Sequence, residues 1–112
     1  TQTRGTFIAT GPGQRLTMEA FLDECQQAAG NADSEIVWVE DAVLEKAKLT
    51  PWTEMPLWIP SSSKNLVGAM RLDCSKATAQ GLKNRPVANT IADTLAWDMT
   101  RDPGLERQAG LS

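Results

Sequence analysis

Apolar residues recur along this chain at spacings that separate helical from extended segments. Met18, Phe21, Leu22, Cys25, Ala28 and Ala29 fall at i, i+3, i+4, i+7, i+10 and i+11, the period of one helix face. Thr17 precedes them as an N-cap, Glu19, Asp23 and Glu24 occupy early turns where the helix dipole favours acids, and Gly30-Asn31 supplies a left-handed exit. Ala88, Ile91, Ala92, Leu95 and Met99 form a second stripe. Pro86 holds Arg85 in extended geometry, so this last helix is predicted to start no earlier than the proline. Two shorter helices are expected at 42–47, capped by Asp41, and at 76–80, capped by Asp73 or Ser75 and ended by Gly81.

Extended segments alternate with these helices. Residues 6–10 are β-prone and close on the turn Gly11-Pro12-Gly13. Residues 35–39, Glu-Ile-Val-Trp-Val, are apolar in four successive positions, as in a strand covered on both faces. Residues 69–72 give a third strand. Between 48 and 64, Pro51, Pro56 and Pro60 exclude a regular helix or central strand and predict a long irregular loop. The expectation is a small α/β or α+β unit, with short strands and three to four helices, occupying 1–112 as a single domain without repeat or linker.

A chain of 112 residues can enclose a core, burying about 60–70% of the surface its unfolded form exposes. Eleven basic and fourteen acidic residues, scattered along the chain, give a net charge of −3 and no electrostatic footprint for nucleic acid. Cys25 and Cys74 lie far apart and imply neither a metal site nor a disulfide framework, which fits a reducing cytoplasm. No apolar run approaches the ~18 residues of a membrane span, and the opening residues lack the regions of a signal peptide. The chain begins without Met and stops soon after a helix, so both ends read as cuts in a longer protein.

The candidate chemistry is sparse. Gly11-Pro12-Gly13 is no dinucleotide fingerprint, because Pro12 removes an N–H donor and Gln14-Arg15-Leu16 separates the turn from the helix cap. Glu40, Asp41 and Glu54 have no acid/base spacing, and Cys74 beside Lys76 has no histidine to pair with, since the chain contains none. The strongest local feature is the loop 49–60. It gathers Trp52, Met55, Leu57, Trp58 and Ile59 where no regular apolar face can bury them, and its prolines lower the entropy of holding one conformation. Such a loop either walls a ligand cleft or staples itself to its own domain, and one indole can anchor while the other faces the ligand. Trp97 lies nearly opposite Leu95 on the last helix and either meets a neighbouring surface or is half-covered by this domain's own loops.

Asp73-Cys74-Ser75-Lys76-Ala77, Gly81-Leu82, Pro86 and Thr94-Leu95-Ala96-Trp97 together resemble the C-terminal end of the NAD(P)-dependent epimerase/dehydratase family, the extended short-chain dehydrogenase/reductases. Gly5-Thr6-Phe7-Ile8-Ala9-Thr10-Gly11 with Leu16-Thr17-Met18 and the following helix is similar to the family's strand that presents residues near the substrate and then a helix of the C-terminal lobe. The family's dinucleotide fold and catalytic tyrosine stand in the N-terminal half, and this chain has no tyrosine. The resemblance therefore implies a C-terminal substrate-binding lobe of a bacterial, cytoplasmic oxidoreductase, with no catalytic or cofactor residue of its own. A parent chain would bind NAD or NADP on an N-terminal Rossmann domain, the lobe's partner.

Trp52, Met55, Leu57 and Trp58 are the candidate substrate-binding residues, with Arg71 either a contact for a substrate anion or a capping or salt-bridge partner beside Asp73. Family members acting on nucleotide sugars carry an arginine about ten residues before the Asp of the Asp-x-Ser-Lys pattern, to hold the diphosphate. Ser61-Ser62-Ser63-Lys64-Asn65 has none there, which points to a less charged small-molecule substrate. Two rivals stand beside this reading: a non-catalytic member that senses a dinucleotide or protein, and an independent interaction module. An upstream glycine-rich fingerprint with Tyr-x-x-x-Lys would favour the enzyme, the fingerprint alone the sensor, and no dinucleotide fold the module. A face containing Trp97 and residues 52–59 is expected to self-associate or to form the largest exposed apolar patch.

Overall fold

The helical periods translate directly into structure. In a computed structural model describing residues 3–30, 33–66 and 68–110, helix α1 spans Met18–Ala29, α2 Asp41–Lys46, α3 Ser75–Ala79 and α4 Val87–Asp98, with a 3-10 turn at Lys64–Leu66. The chain divides into two units, Thr1–Ile36 with Arg71–Arg101 and Val37–Met70 with Asp102–Ser112.

In the first unit α1 packs on α4. Thr17 Oγ1 accepts the Ala20 N–H at 3.2 Å, and Gly30, at φ 62°, closes α1 in the left-handed region. Asn31 lies outside the described residues. Phe21, Leu22 and Cys25 are half-buried on α1, as are Val87, Ala88, Ile91 and Leu95 on α4. The predicted stripe of α4 is shorter than its sequence period, because Ala92 and Met99 are exposed. Trp97 is 61% exposed and lies under the Arg101 guanidinium, 5.1 Å from its ring. α4 starts directly after Pro86, as the proline requires. At α3, Asp73 Oδ1 accepts the Ser75 N–H at 2.9 Å, while Gly81, at φ 101°, takes the chain out of the helix. Lys76 reaches back to the first segment, donating to Thr6 O at 2.9 Å and standing 4.7 Å over the Phe7 ring.

The expected strands do not form. Among the described residues the only β-type pairing is an isolated parallel bridge, Pro51 with Met55. Segments 6–10, 35–39 and 69–72 carry β-prone residues without a ladder. Strand preference expresses packing on a pleated neighbour, and without one a run such as Ile36-Val37-Trp38-Val39 stays solvated, with Val37 68% exposed. The regular structure of the described residues is thus helical, with irregular connections between the helices.

In the second unit α2 begins one residue before the predicted run and is not capped by Asp41, which has become its first residue. Segment 48–64 is irregular up to its 3-10 end. Burial is thin throughout: only Ala77 and Pro60 are buried among the described residues. The chain exposes 9702 Å². A folded monomer of 12.2 kDa exposes about 6,100 Å², and two independent domains of half that mass about 7,300 Å² together. No described helix is long and apolar enough to cross a membrane.

Candidate functional site

The loop that concentrates tryptophan and proline folds back on itself through short-range bonds. Glu54 Oε2 accepts the Thr50 N–H at 2.6 Å, the Glu54 N–H donates to Thr50 O at 3.1 Å, and the Trp52 N–H donates to Met55 O at 3.1 Å. These bonds turn the chain within six residues and place Trp52 at its corner, with φ 69°. Lys48 and Leu57 also adopt left-handed backbone, at φ 57° and 65°. A non-glycine residue there costs about 1–2 kcal/mol, so surrounding bonds must hold each one.

Side chains of α2 hold the far end of the loop. Asp41 Oδ1 accepts the Trp58 indole N–H at 2.9 Å and Asp41 Oδ2 accepts the Ser61 backbone N–H at 2.8 Å. Ser62 Oγ donates to Glu45 Oε1 at 2.8 Å, one turn along the helix. The Ser61 N–H, then the Trp58 indole, hold the Asp41 carboxyl below its ordinary value, and the bonds from Thr50 do the same for Glu54. Both carboxylates are consumed in shaping the loop.

The outcome is an apolar recess of about 370 Å³, within the range of about 300–1,000 Å³ for small-molecule sites. Trp52 and Trp58 stand in its wall together with Ile59, Leu66 and Met70. The two indoles differ: Trp58 is half-buried and fixed through its N–H, whereas Trp52 is 54% exposed. Among the described residues no acid, base or thiol lines the recess, and the one hydroxyl is that of Ser63. Such a surface can hold and orient an apolar group.

Three other residues named from the sequence are placed differently. Met55 is half-buried and contributes its carbonyl, which accepts from the N–H groups of Trp52 and Trp58, but its side chain is not in the wall. Leu57 is exposed and outside the recess, its left-handed backbone turning it between the two indoles in sequence. Arg71 is exposed and belongs to the first unit. Leu66 and Met70 escaped the sequence reading because they follow the prolines on a segment expected to turn into a strand. The signal that could have found them is the apolar pair Leu66 and Met70 at i, i+4 beside a tryptophan loop.

Burial, and then the neighbouring Glu24, push the Cys25 thiol above its ordinary pKa, away from nucleophilic use. Among the described residues no group of three or more Cys, Asp or Glu side chains is placed to hold a metal ion. Compared with protein-family profiles, with curated proteins and with solved structures, the chain matches none, and the recess with its two unequal tryptophans is the ground for a functional reading.

Proposed function

We propose that this chain is the substrate-binding lobe of an NAD(P)-dependent epimerase/dehydratase-like oxidoreductase, and that the recess of Trp52 and Trp58 receives the apolar part of its substrate. The observation that carries this reading is a recess walled by one indole that is fixed and one that is exposed, with no titratable group among its described lining residues. A lobe that supplies specificity while hydride transfer proceeds on a Rossmann domain needs a surface of this kind. The large exposed area supports it too, since a lobe is completed by its neighbour. NAD or NADP would bind to that neighbour.

The first test is binding of 4-phenylbutan-2-one, an uncharged aryl ketone, followed by tryptophan fluorescence. Trp52→Ala is expected to weaken it about tenfold, the size of one lost aromatic contact. Unchanged affinity in that variant would overturn the assignment of the recess. Adding NADH to the same chain is expected to leave its melting temperature unmoved, because only a ligand bound to the native state raises it. An upstream coding region without a dinucleotide fold would overturn the family reading and leave the recess to an interaction module.

A further inference from the structure

A second cavity, of about 710 Å³, lies wholly within the first unit, between the turn at 12–16 and the segment 82–87. Arg15, Lys83 and Arg85 line it, and among the described residues no carboxylate does, although the chain as a whole carries a net charge of −3. Arg85 is held in place: its Nε donates to Thr90 Oγ1 at 3.0 Å and its Nη1 pairs with Asp93 Oδ2 at 2.6 Å, which offsets part of its charge. Arg15 and Lys83 have no such carboxylate among the described residues.

Asn84 gives the cavity a neutral polar group. Its side chain lies beside the Gly11-Pro12-Gly13 turn, where a Cβ on Gly11 would stand in ordinary contact with it, 3.4 Å from Asn84 Cγ and Oδ1, and one on Gly13 3.6 Å from Nδ2. The amide thus stands at the cavity's edge, with its Oδ1 and Nδ2 beside the turn. Leu16, Leu82 and Val87, all half-buried, supply apolar wall.

Cations gathered on one concave surface raise each other's energy, and a bound anion relieves them. Arg and Lys donors suit carboxylate and phosphate oxygens, the apolar wall suits a hydrocarbon body, and the volume suits a drug-sized ligand. We propose that this cavity binds a small organic oxyanion, a carboxylate or phosphate monoester carrying an apolar body, with Arg15 and Lys83 meeting the anionic head. The site is separate from the tryptophan recess and does not rest on the oxidoreductase reading.

The test uses the full chain with three probes of similar body: 4-phenylbutyrate, 2-phenylethyl phosphate and the neutral 4-phenylbutan-1-ol. Binding is followed by the amide resonances of Gly11 and Gly13 and the side-chain amide of Asn84. At least one anion is expected to bind at least about tenfold tighter than the alcohol, the advantage of one charge-assisted contact, and the tighter anion identifies the head group. Raising the salt from low to high concentration is expected to weaken the anion and leave the alcohol unmoved.

The double variant Arg15→Gln/Lys83→Gln, at two exposed positions, is expected to bring the anion to the alcohol's affinity, both read at the Gly11, Gly13 and Asn84 resonances. Equal binding of anion and alcohol, no shift of the Gly11, Gly13 and Asn84 resonances, or full anion affinity in the double variant would each overturn the proposal. Should the double variant not fold, the comparison of probes on the unsubstituted chain decides.

Discussion

Asp41 fixes two parts of the chain with its two oxygens, accepting the Trp58 indole at one and the Ser61 backbone at the other. Both bonds favour the ionised carboxyl, so its folded pKa lies below the unfolded one. The stabilisation is complete above the unfolded value and fades as pH falls through the folded value, which places the transition below about pH 4. Trp58 emission is expected to shift to the red over that window while α1 keeps its helicity. In Asp41→Asn the shift is expected at neutral pH, since the amide retains one acceptor oxygen for two donors. A Trp58 spectrum indifferent to both changes would remove Asp41 as the loop's anchor. The pairing of the tryptophans in one loop was legible in the sequence from composition and proline spacing. Asp41's use was not, because an acid before a helical run is equally suited to capping, and only the proximity of Trp58 and Ser61 decides between the two.

α1 owes its start to Thr17 and its end to Gly30, and both were readable because caps act within four residues. Thr17→Ala is expected to lower stability by about 1 kcal/mol, seen as a lower denaturation midpoint with unchanged m-value. Loss of no more than a few tenths of that would mean α1 is held by α4 alone. The extended segments failed as strands for the opposite reason. A helix satisfies its own backbone bonds, whereas 6–10, 35–39 and 69–72 need partners that local sequence cannot supply. Their exposed Ile8, Val37, Val39 and Leu72 are residues that a neighbouring sheet or lobe would cover. The stripe of α4 was legible at Ile91 and Leu95, which are half-buried, and not at Met99, which is 79% exposed one residue past the helix end.

For the molecule as a whole the governing quantity is its 9702 Å² of exposed surface, thousands of Å² beyond what a folded chain of this mass shows. Apolar side chains left in water favour association, so the sedimentation coefficient is expected to rise with concentration and the chain to bind anilinonaphthalene sulfonate. A concentration-independent monomer that binds no dye would count against a missing neighbour and for a self-sufficient module.

The division of the chain also has a genetic side. It passes from one unit to the other three times, and residues 37–70, with the recess, sit in the primary structure as an insertion between Ile36 and Arg71 of the other unit. An insertion can be excised. Replacing 37–70 by a six-residue Gly/Ser linker, with 102–112 removed, shortens the connection and recovers about 1.5 kcal/mol of closure entropy. The pairing of α1 with α4 and the cation-lined cavity are expected to survive, so that a chain two-thirds as long would bind the organic anion and ignore the aryl ketone. In that form the tryptophan recess is a cassette, and the specificity proposed for it could be lost, exchanged or transplanted without touching α1 and α4.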